Sequence, residues 1–153
     1  MEASTETAIR REIAIAASPE TVWEFLVDPE KATRWMGMSA SLDARPGGEY
    51  RVQVISGNVA SGEFVEVDPP HRLVQTWGWD PSGRGEIEPG STRVEFELIA
   101  SGEGTILRFR HELPTAKAAE SHGHGWDHYF VRLVVAAAGG DPGVDPWIEA
   151  PMS

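Results

Sequence analysis

Residues 92–113 read TRVEFELIASGEGTILRFRHEL, with side chains that alternate between apolar and polar on both sides of a glycine-containing turn. A period of two is typical of a β-strand with one buried face, so this stretch predicts two antiparallel strands joined by a tight hairpin turn at 101–104. Phe109 and His111 both fall on the apolar face. We therefore expect both side chains to point into the interior of the protein.

Upstream of this hairpin, further short strands are separated by turns rich in glycine and proline. The segments that read as strands are 8–16, 49–55, 62–67 and 72–79. The pattern does not fix the register at Glu63 or Gln75, so an inward position stays open for both. Residues 80–91 are also rich in glycine and proline. Their composition is compatible with a plain surface connection and with a mobile lid.

Two short helices are predicted directly after the first strand. Ser18-Pro19-Glu20 and Asp28-Pro29-Glu30 each combine a capping residue, a proline at the first helical position and an acidic residue in the first turn. The first signal is followed by apolar residues at helical spacing. The second helix is expected to end at Arg34 or Trp35.

A long helix is predicted near the C-terminus. Trp126, Phe130, Leu133 and Ala137 recur at the spacing of one helical face, and Gly139-Gly140 follows them as a stop signal. Gly123 and Gly125 weaken the first turns of this helix, which leaves its start undefined by several residues. The segment that follows, 141–147, reads as an irregular tail.

The order of these elements indicates an α+β protein. Consecutive antiparallel strands with helices segregated from them are typical of that class. We expect a curved antiparallel sheet of about six to seven strands around the long C-terminal helix, all in one domain that spans residues 1–153. Since a strongly bent sheet cannot bury its own concave face, the helix has to close it, and such a closure tends to leave a cavity.

Charge and composition exclude several classes of function. The chain has 13 basic and 24 acidic residues and a formal net charge of −11, which argues against binding to nucleic acid or anionic lipid. It has no cysteine, which excludes disulfides, thiolate nucleophiles and cysteine-based metal sites. The polar N-terminus has no signal-peptide pattern, and no segment approaches the ~20 apolar residues of a membrane span. We therefore expect a cytoplasmic protein.

Six segments in a fixed order carry a family resemblance that extends from about Ile9 to Trp147. They are Ala17-Ser18-Pro19-Glu20-Thr21-Val22-Trp23, Asp28-Pro29 through Trp35, Arg45-Pro46-Gly47-Gly48, Gly62-Glu63-Phe64 through Trp77, Gly104-Thr105 through His111, and Gly125-Trp126 with Tyr129, Arg132 and Leu133. In these segments the chain resembles the START-like superfamily (SRPBCC). Within it, the chain is most similar to the AHSA-type branch, named for an activator of a heat-shock chaperone ATPase.

The resemblance implies a helix-grip (Bet v-like) fold, in which a curved antiparallel sheet grips a long helix around a mostly apolar cavity. Members of the superfamily bind lipids, sterols, polyketides or other small hydrophobic molecules, and a few catalyse, as the polyketide cyclases do. The resemblance implies no cofactor. The chaperone activators take part in the stress response. They resemble this chain only in the C-terminal portion of a longer protein. We therefore do not expect chaperone activation here.

Combined with the pattern, the resemblance yields a candidate ligand site. The cavity is expected to be lined by Trp35, Met36, Trp77, Trp79, Phe109, His111, Trp126, Tyr129 and Phe130. His111 is expected to supply the polar contact that orients the ligand. We expect non-catalytic binding of a small hydrophobic molecule. An enzyme of the cyclase or hydrolase kind with His111 as acid and base, and a chaperone-interaction module, are the alternatives.

Three histidines near the start of the long helix invite a metal hypothesis. His124 and His128 are four residues apart, the spacing that places two imidazoles on one helical face, and His122 is close by. Histidines in solvent at a polar helix start are the simpler interpretation, and we expect no metal. Trp147 is expected to tether the tail. The sequence leaves the oligomeric state open, with a homodimer as one expectation.

Overall fold

The computed structural model describes residues 6–80 and 87–149. Seven strands and three α-helices follow the predicted order, and a short 3₁₀ helix lies in the tail. Their bounds are β1 Ala8–Ile15, α1 Pro19–Val27, α2 Pro29–Trp35, β2 Ser39–Leu42, β3 Glu49–Ile55, β4 Asn58–Asp68, β5 Arg72–Trp79, β6 Thr92–Ser101, β7 Gly104–Glu112, α3 Ala116–Ala137 and the 3₁₀ helix Pro146–Ile148.

All the strands form one antiparallel sheet with the order β1-β7-β6-β5-β4-β3-β2. The α+β helix-grip prediction is confirmed, since the curved sheet carries the long helix α3 and the two short helices. Two boundaries differ from the sequence reading. The short edge strand β2 lies in a segment for which no strand bounds were predicted, and β4 begins at Asn58 instead of Gly62 because it pairs with β3 directly from the turn at 56–57.

The hairpin of residues 92–113 has the predicted register. Ser101 pairs with Gly104, Phe96 with Phe109, and Val94 with His111. Phe96, Phe109, Val94 and His111 are all buried. In the neighbouring strand β5, Gln75 is also buried, whereas Glu63 of β4 is exposed. Thus the structure resolves the two registers that the sequence left open.

Both short helices begin at their predicted caps. The Ser18 side chain accepts a hydrogen bond from the Thr21 backbone N–H, and the Asp28 side chain accepts one from Glu30. The second helix, α2, ends at Trp35 as predicted. The Trp35 indole Nε1–H donates to the Phe25 carbonyl oxygen over 2.8 Å, which fixes α2 to α1 in the interior.

The long helix α3 starts earlier than the glycines suggested. It begins at Ala116, capped by the Thr115 side chain, and runs through both Gly123 and Gly125. A Cβ built on Gly123 would lie 3.0 Å from Arg11 Nη2, because β1 passes close to the helix at this point. Arg11 also forms an ion pair with Asp127 over 2.6 Å. Gly123 therefore permits the close approach of α3 and β1.

The helix α3 packs unevenly on the sheet. Its closest packing partners are the edge strand β1 and the helices α2 and α1. The loop 80–91, predicted as a connection or a lid, lies in part outside the described residues. None of the helices in residues 6–80 and 87–149 is both long and apolar enough to cross a membrane.

Candidate functional site

A cavity of about 70 Å³ lies between the N-terminal half of α3, the strands β3 to β5 and the tail. Aromatic rings and aliphatic side chains form most of its wall. The residues that line it are Met36, Val54, Ile55, Asn58, Trp77, Trp79, Ser121, His122, Gly125, Trp126, Tyr129 and Trp147. No Asp, Glu, Lys or Arg of the described residues lines it. A wall of this kind suits a neutral, mostly apolar molecule.

The predicted ligand residues divide into two groups. Five of the nine line the cavity, namely Met36, Trp77, Trp79, Trp126 and Tyr129. The other four, Trp35, Phe109, His111 and Phe130, are buried but do not line it. Phe130 instead packs between Phe109 and Trp35, with ring centroids 4.9 and 6.2 Å away. Periodicity gave the inward face of each element correctly but not the depth of each side chain behind that face.

Several cavity residues were missed by the sequence reading. The β3–β4 hairpin supplies Val54, Ile55 and Asn58, and α3 adds Ser121 and Gly125. Asn58, Ser121 and Gly125 are small or polar and therefore carry no apolar signal of their own. Their places in the cavity wall follow only from strand pairing and from the full length of α3.

Trp147 both tethers the tail, as expected, and closes one end of the cavity. Its ring stacks on the His128 imidazole with centroids 3.7 Å apart, and its backbone N–H donates to the Asp145 carboxylate over 2.9 Å. His128 Nε2 donates to the same Asp145 oxygen over 2.8 Å. The tail segment is therefore held on α3 by this stacked pair, by the Asp145 carboxylate and by Arg132, which donates to the Pro142 and Gly143 carbonyl oxygens.

His111 lies behind the cavity, with both ring nitrogens hydrogen bonded to protein groups. The Trp126 Nε1–H donates to His111 Nδ1 over 3.1 Å, and because an indole nitrogen only donates, the His111 proton resides on Nε2. That N–H donates to the Thr92 hydroxyl over 2.9 Å, and the hydroxyl donates to the Trp77 carbonyl oxygen over 2.6 Å. These bonds join α3 to β7, β6 and β5 and fix one neutral tautomer.

The environment of His111 keeps it uncharged. Burial, and after it the nearby His122, lowers the pKa of His111 from 6.5 to about 3. A proton on His111 Nδ1 would also place two N–H donors, that of His111 and that of Trp126, against each other. At neutral pH His111 has no free nitrogen with which to contact a ligand or transfer a proton. The expected role in orienting a ligand therefore finds no support in this geometry, and neither does acid–base catalysis.

His122 forms a second tryptophan–histidine pair in the cavity wall. The Trp79 Nε1–H donates to His122 Nε2 over 3.0 Å. His122 Nδ1 lies 2.8 Å from the Ala118 carbonyl oxygen, which only accepts, so the proton resides on Nδ1. This tautomer is the opposite of that of His111. The interpretation of His122 as a histidine in solvent is wrong, because α3 turns its ring toward Trp79.

The two other histidines of α3, His124 and His128, do not form a metal site with His122. His128 is engaged with Asp145, whereas His124 is exposed, with its ring 5.5 Å from that of Trp147. Within the described ranges, no three His, Cys, Asp or Glu side chains are placed to hold a metal ion. The spacing of four residues puts both rings beside Trp147, where they serve to pack the tail.

Two buried donors of the cavity residues have no hydrogen-bond partner in the part of the chain that the structure describes: Trp77 Nε1 and the Tyr129 hydroxyl. Both nevertheless have polar protein neighbours. Burial raises the pKa of Tyr50, and the Trp77 indole is close enough to oppose that rise. Burial and then the Asp145 carboxylate raise the pKa of Tyr129. Tyr50 is thus a polar neighbour of the Trp77 indole, and Asp145 is one of the Tyr129 hydroxyl.

Size limits what the cavity holds in this conformation. Small-molecule sites usually enclose at least ~300 Å³, and an engineered cavity of about 150 Å³ takes one benzene ring. With about 70 Å³, this cavity must expand before it admits even one aromatic ring. Trp147, which forms one wall of the cavity, belongs to the short 3₁₀ helix of the tail, and this tail is held on α3 by His128.

Comparisons with known proteins agree with this fold. The family model described as Activator of Hsp90 ATPase homolog 1-like protein matches residues 16–138. The AHSA1-like protein from Rhizobium etli has a solution structure that is 44% identical, with a TM-score of 0.72 over 96% of this chain and 92% of that one. No curated protein matches the chain.

Two more distant structures share the fold alone. A protein of the dynemicin biosynthetic locus is 24% identical with a TM-score of 0.76 over 90% of this chain, which spans only 49% of that protein. The Aha1 dimer from Colwellia psychrerythraea is 19% identical with a TM-score of 0.72, over 88% of this chain and 98% of that one. With the family model matching most of its length, the chain belongs to the Activator of Hsp90 ATPase homolog 1-like family, in the AHSA branch of the START-like superfamily.

Proposed function

We propose that this protein binds one small, neutral, mostly apolar molecule in the cavity between α3 and β3–β5, without chemical conversion. The observation that carries the proposal is a wall of aromatic rings to which no described residue contributes a charge. Aromatic walls favour a flat, unsaturated ligand. Asn58 and Ser121, the polar non-aromatic members of the wall, allow at most a few polar contacts.

The state of His111 favours binding over catalysis. Both its nitrogens are bonded within the protein, and its pKa of about 3 keeps it neutral at physiological pH. A general acid or base needs a pKa near the operating pH and a free path to the substrate. The net charge of −11 adds to the preference for a neutral ligand over an anionic one.

The six tryptophans supply an internal control for a binding test. Four of them line the cavity, namely Trp77, Trp79, Trp126 and Trp147, whereas Trp23 and Trp35 are buried elsewhere. Indole N–H resonances are observed with ¹⁵N-labelled tryptophan while N-phenylnaphthylamine, a neutral aromatic probe, is titrated. We expect shifts at the first four resonances and little change at the last two. No shift at any of the six, or equal shifts at all, would contradict the proposal.

The family description supplies a competing proposal, activation of the Hsp90 ATPase. A protein–protein contact of that kind would use the outer surface of the domain, so filling the cavity should not affect it. If the purified protein stimulated the ATPase, and did so equally with the cavity filled by a probe, the interaction would become the primary function. A cytoplasmic location and a homodimer both remain predictions, to be checked by fractionation of cells and by sedimentation of the purified chain.

A further inference from the structure

Two glycines stand two residues apart in the middle of α3, and only one has a packing reason. Glycine is the least favourable residue in a helix interior after proline, so each position calls for an explanation. A Cβ on Gly123 would meet Arg11 Nη2 at 3.0 Å and Ile9 at 3.8 Å. A Cβ on Gly125 would meet no described atom within 4 Å. Protein packing explains the first glycine and leaves the second unexplained.

The side of α3 that carries Gly125 borders the cavity. Gly125 lines it together with Ser121, one turn earlier, and Tyr129, one turn later. Residues four apart share one face of a helix, so these three form the stripe that α3 turns toward the cavity. In the middle of that stripe the wall is bare helix backbone. A side chain at 125 would project into the same space as a bound molecule.

We infer that Gly125 determines the size of the molecule that the cavity accepts, by leaving the flat face of one helical turn open to an aromatic ring of the ligand. The inference rests on the proposed function. The Trp77 and Trp79 rings pack edge to face in the wall that β5 supplies, with centroids 4.9 Å apart. A planar ring held between this wall and the bare turn has aromatic contacts on one side and backbone on the other. The ligand class that fits is a neutral molecule with a flat aromatic portion.

The test uses Gly125→Ala and Gly125→Leu, with Gly123→Ala as the matched control. Binding of N-phenylnaphthylamine is followed by its fluorescence, and thermal unfolding by circular dichroism. We expect Gly125→Ala to raise Tm by roughly 2–4 °C, since alanine favours the helix and its methyl group has room. The same variant should bind the probe roughly threefold more weakly, and Gly125→Leu at least roughly tenfold more weakly. Gly123→Ala should leave probe affinity within about twofold of wild type.

Each outcome separates the inference from the proposed function. Wild-type binding that Gly125→Leu leaves unchanged would overturn the inference and leave the proposed function standing. A lower Tm for Gly125→Ala would also overturn it, because the methyl group would then lack the room that the structure shows. A wild-type protein that binds neither N-phenylnaphthylamine nor the smaller indole would overturn both. If Gly125→Leu does not fold, the alanine variant and its control still decide the question.

Discussion

The space between α3 and the sheet has one filled half and one hollow half. In the filled half, next to β1, β7 and α2, the rings of Trp35, Phe109 and Phe130 pack against one another with centroids 4.9 to 6.2 Å apart. In the hollow half, next to β3–β5, Trp77 and Trp79 contact His122 of α3 but also border a cavity. Both halves carry aromatic residues with the same inward alternation. The difference teaches that an apolar pattern marks a face but does not say whether the opposite surface reaches it.

The largest effect should come from removing a ring in the filled half. Phe130→Ala deletes a side chain that contacts Trp35, Phe109 and Trp126, and we expect it to lower the free energy of unfolding by ~3–5 kcal/mol. Met36→Ala, in the cavity wall, should cost clearly less because one side of Met36 already borders empty space. Urea denaturation of both variants measures the two costs. Equal costs would mean that the two halves are equally packed.

The pH dependence of stability tests the His111 hydrogen bonds, which join the two halves. The folded pKa of His111, about 3, lies below the ordinary 6.5. Between these two values the unfolded chain therefore binds a proton at His111 that the folded chain does not bind. This contribution is fully present above pH 6.5 and is lost as the pH falls toward 3. Between pH 7 and pH 5 the loss amounts to ~2 kcal/mol.

The variant His111→Gln should lack that part of the decline. Because other groups titrate in both proteins, the quantity to compare is the change in unfolding free energy between pH 7 and pH 5, measured with urea for each protein. A wild-type decline no steeper than that of His111→Gln would show that His111 accepts a proton in the folded state.

The smallest effect comes from adding one methylene to each half. Val54 lines the cavity, whereas Val94 is fully buried in the sheet between Gln75 and His111 and does not line the cavity. Val54→Ile should raise the stability by up to ~0.8 kcal/mol by filling empty space. Val94→Ile should instead lower it by ~1–3 kcal/mol through overpacking. Thermal unfolding of the two variants measures both changes in stability. Changes of the same sign would contradict the distinction between the halves.

The sequence predicted the fold well because its signals are local. Ser18 and Asp28 cap their helices through contacts within three residues, and the alternation in 92–113 needs only the geometry of a strand. The candidate site was predicted in part. Trp77, Trp79 and Trp126 were found because large aromatic residues on an inward face are conspicuous. Asn58, Ser121 and Gly125 were not, since no local pattern marks a small or polar residue as part of a cavity.

By itself, then, the sequence determined the α+β class, the order of the elements and the inward faces, because hydrogen-bonding geometry and side-chain period act over a few residues. Only the tertiary structure decided that Phe109, His111 and Phe130 lie behind the cavity while Trp147, far along the chain, closes it. It also decided the charge of His111, whose two partners come from β6 and α3. Those properties depend on distances between separate elements, which are set when α3 docks on the sheet.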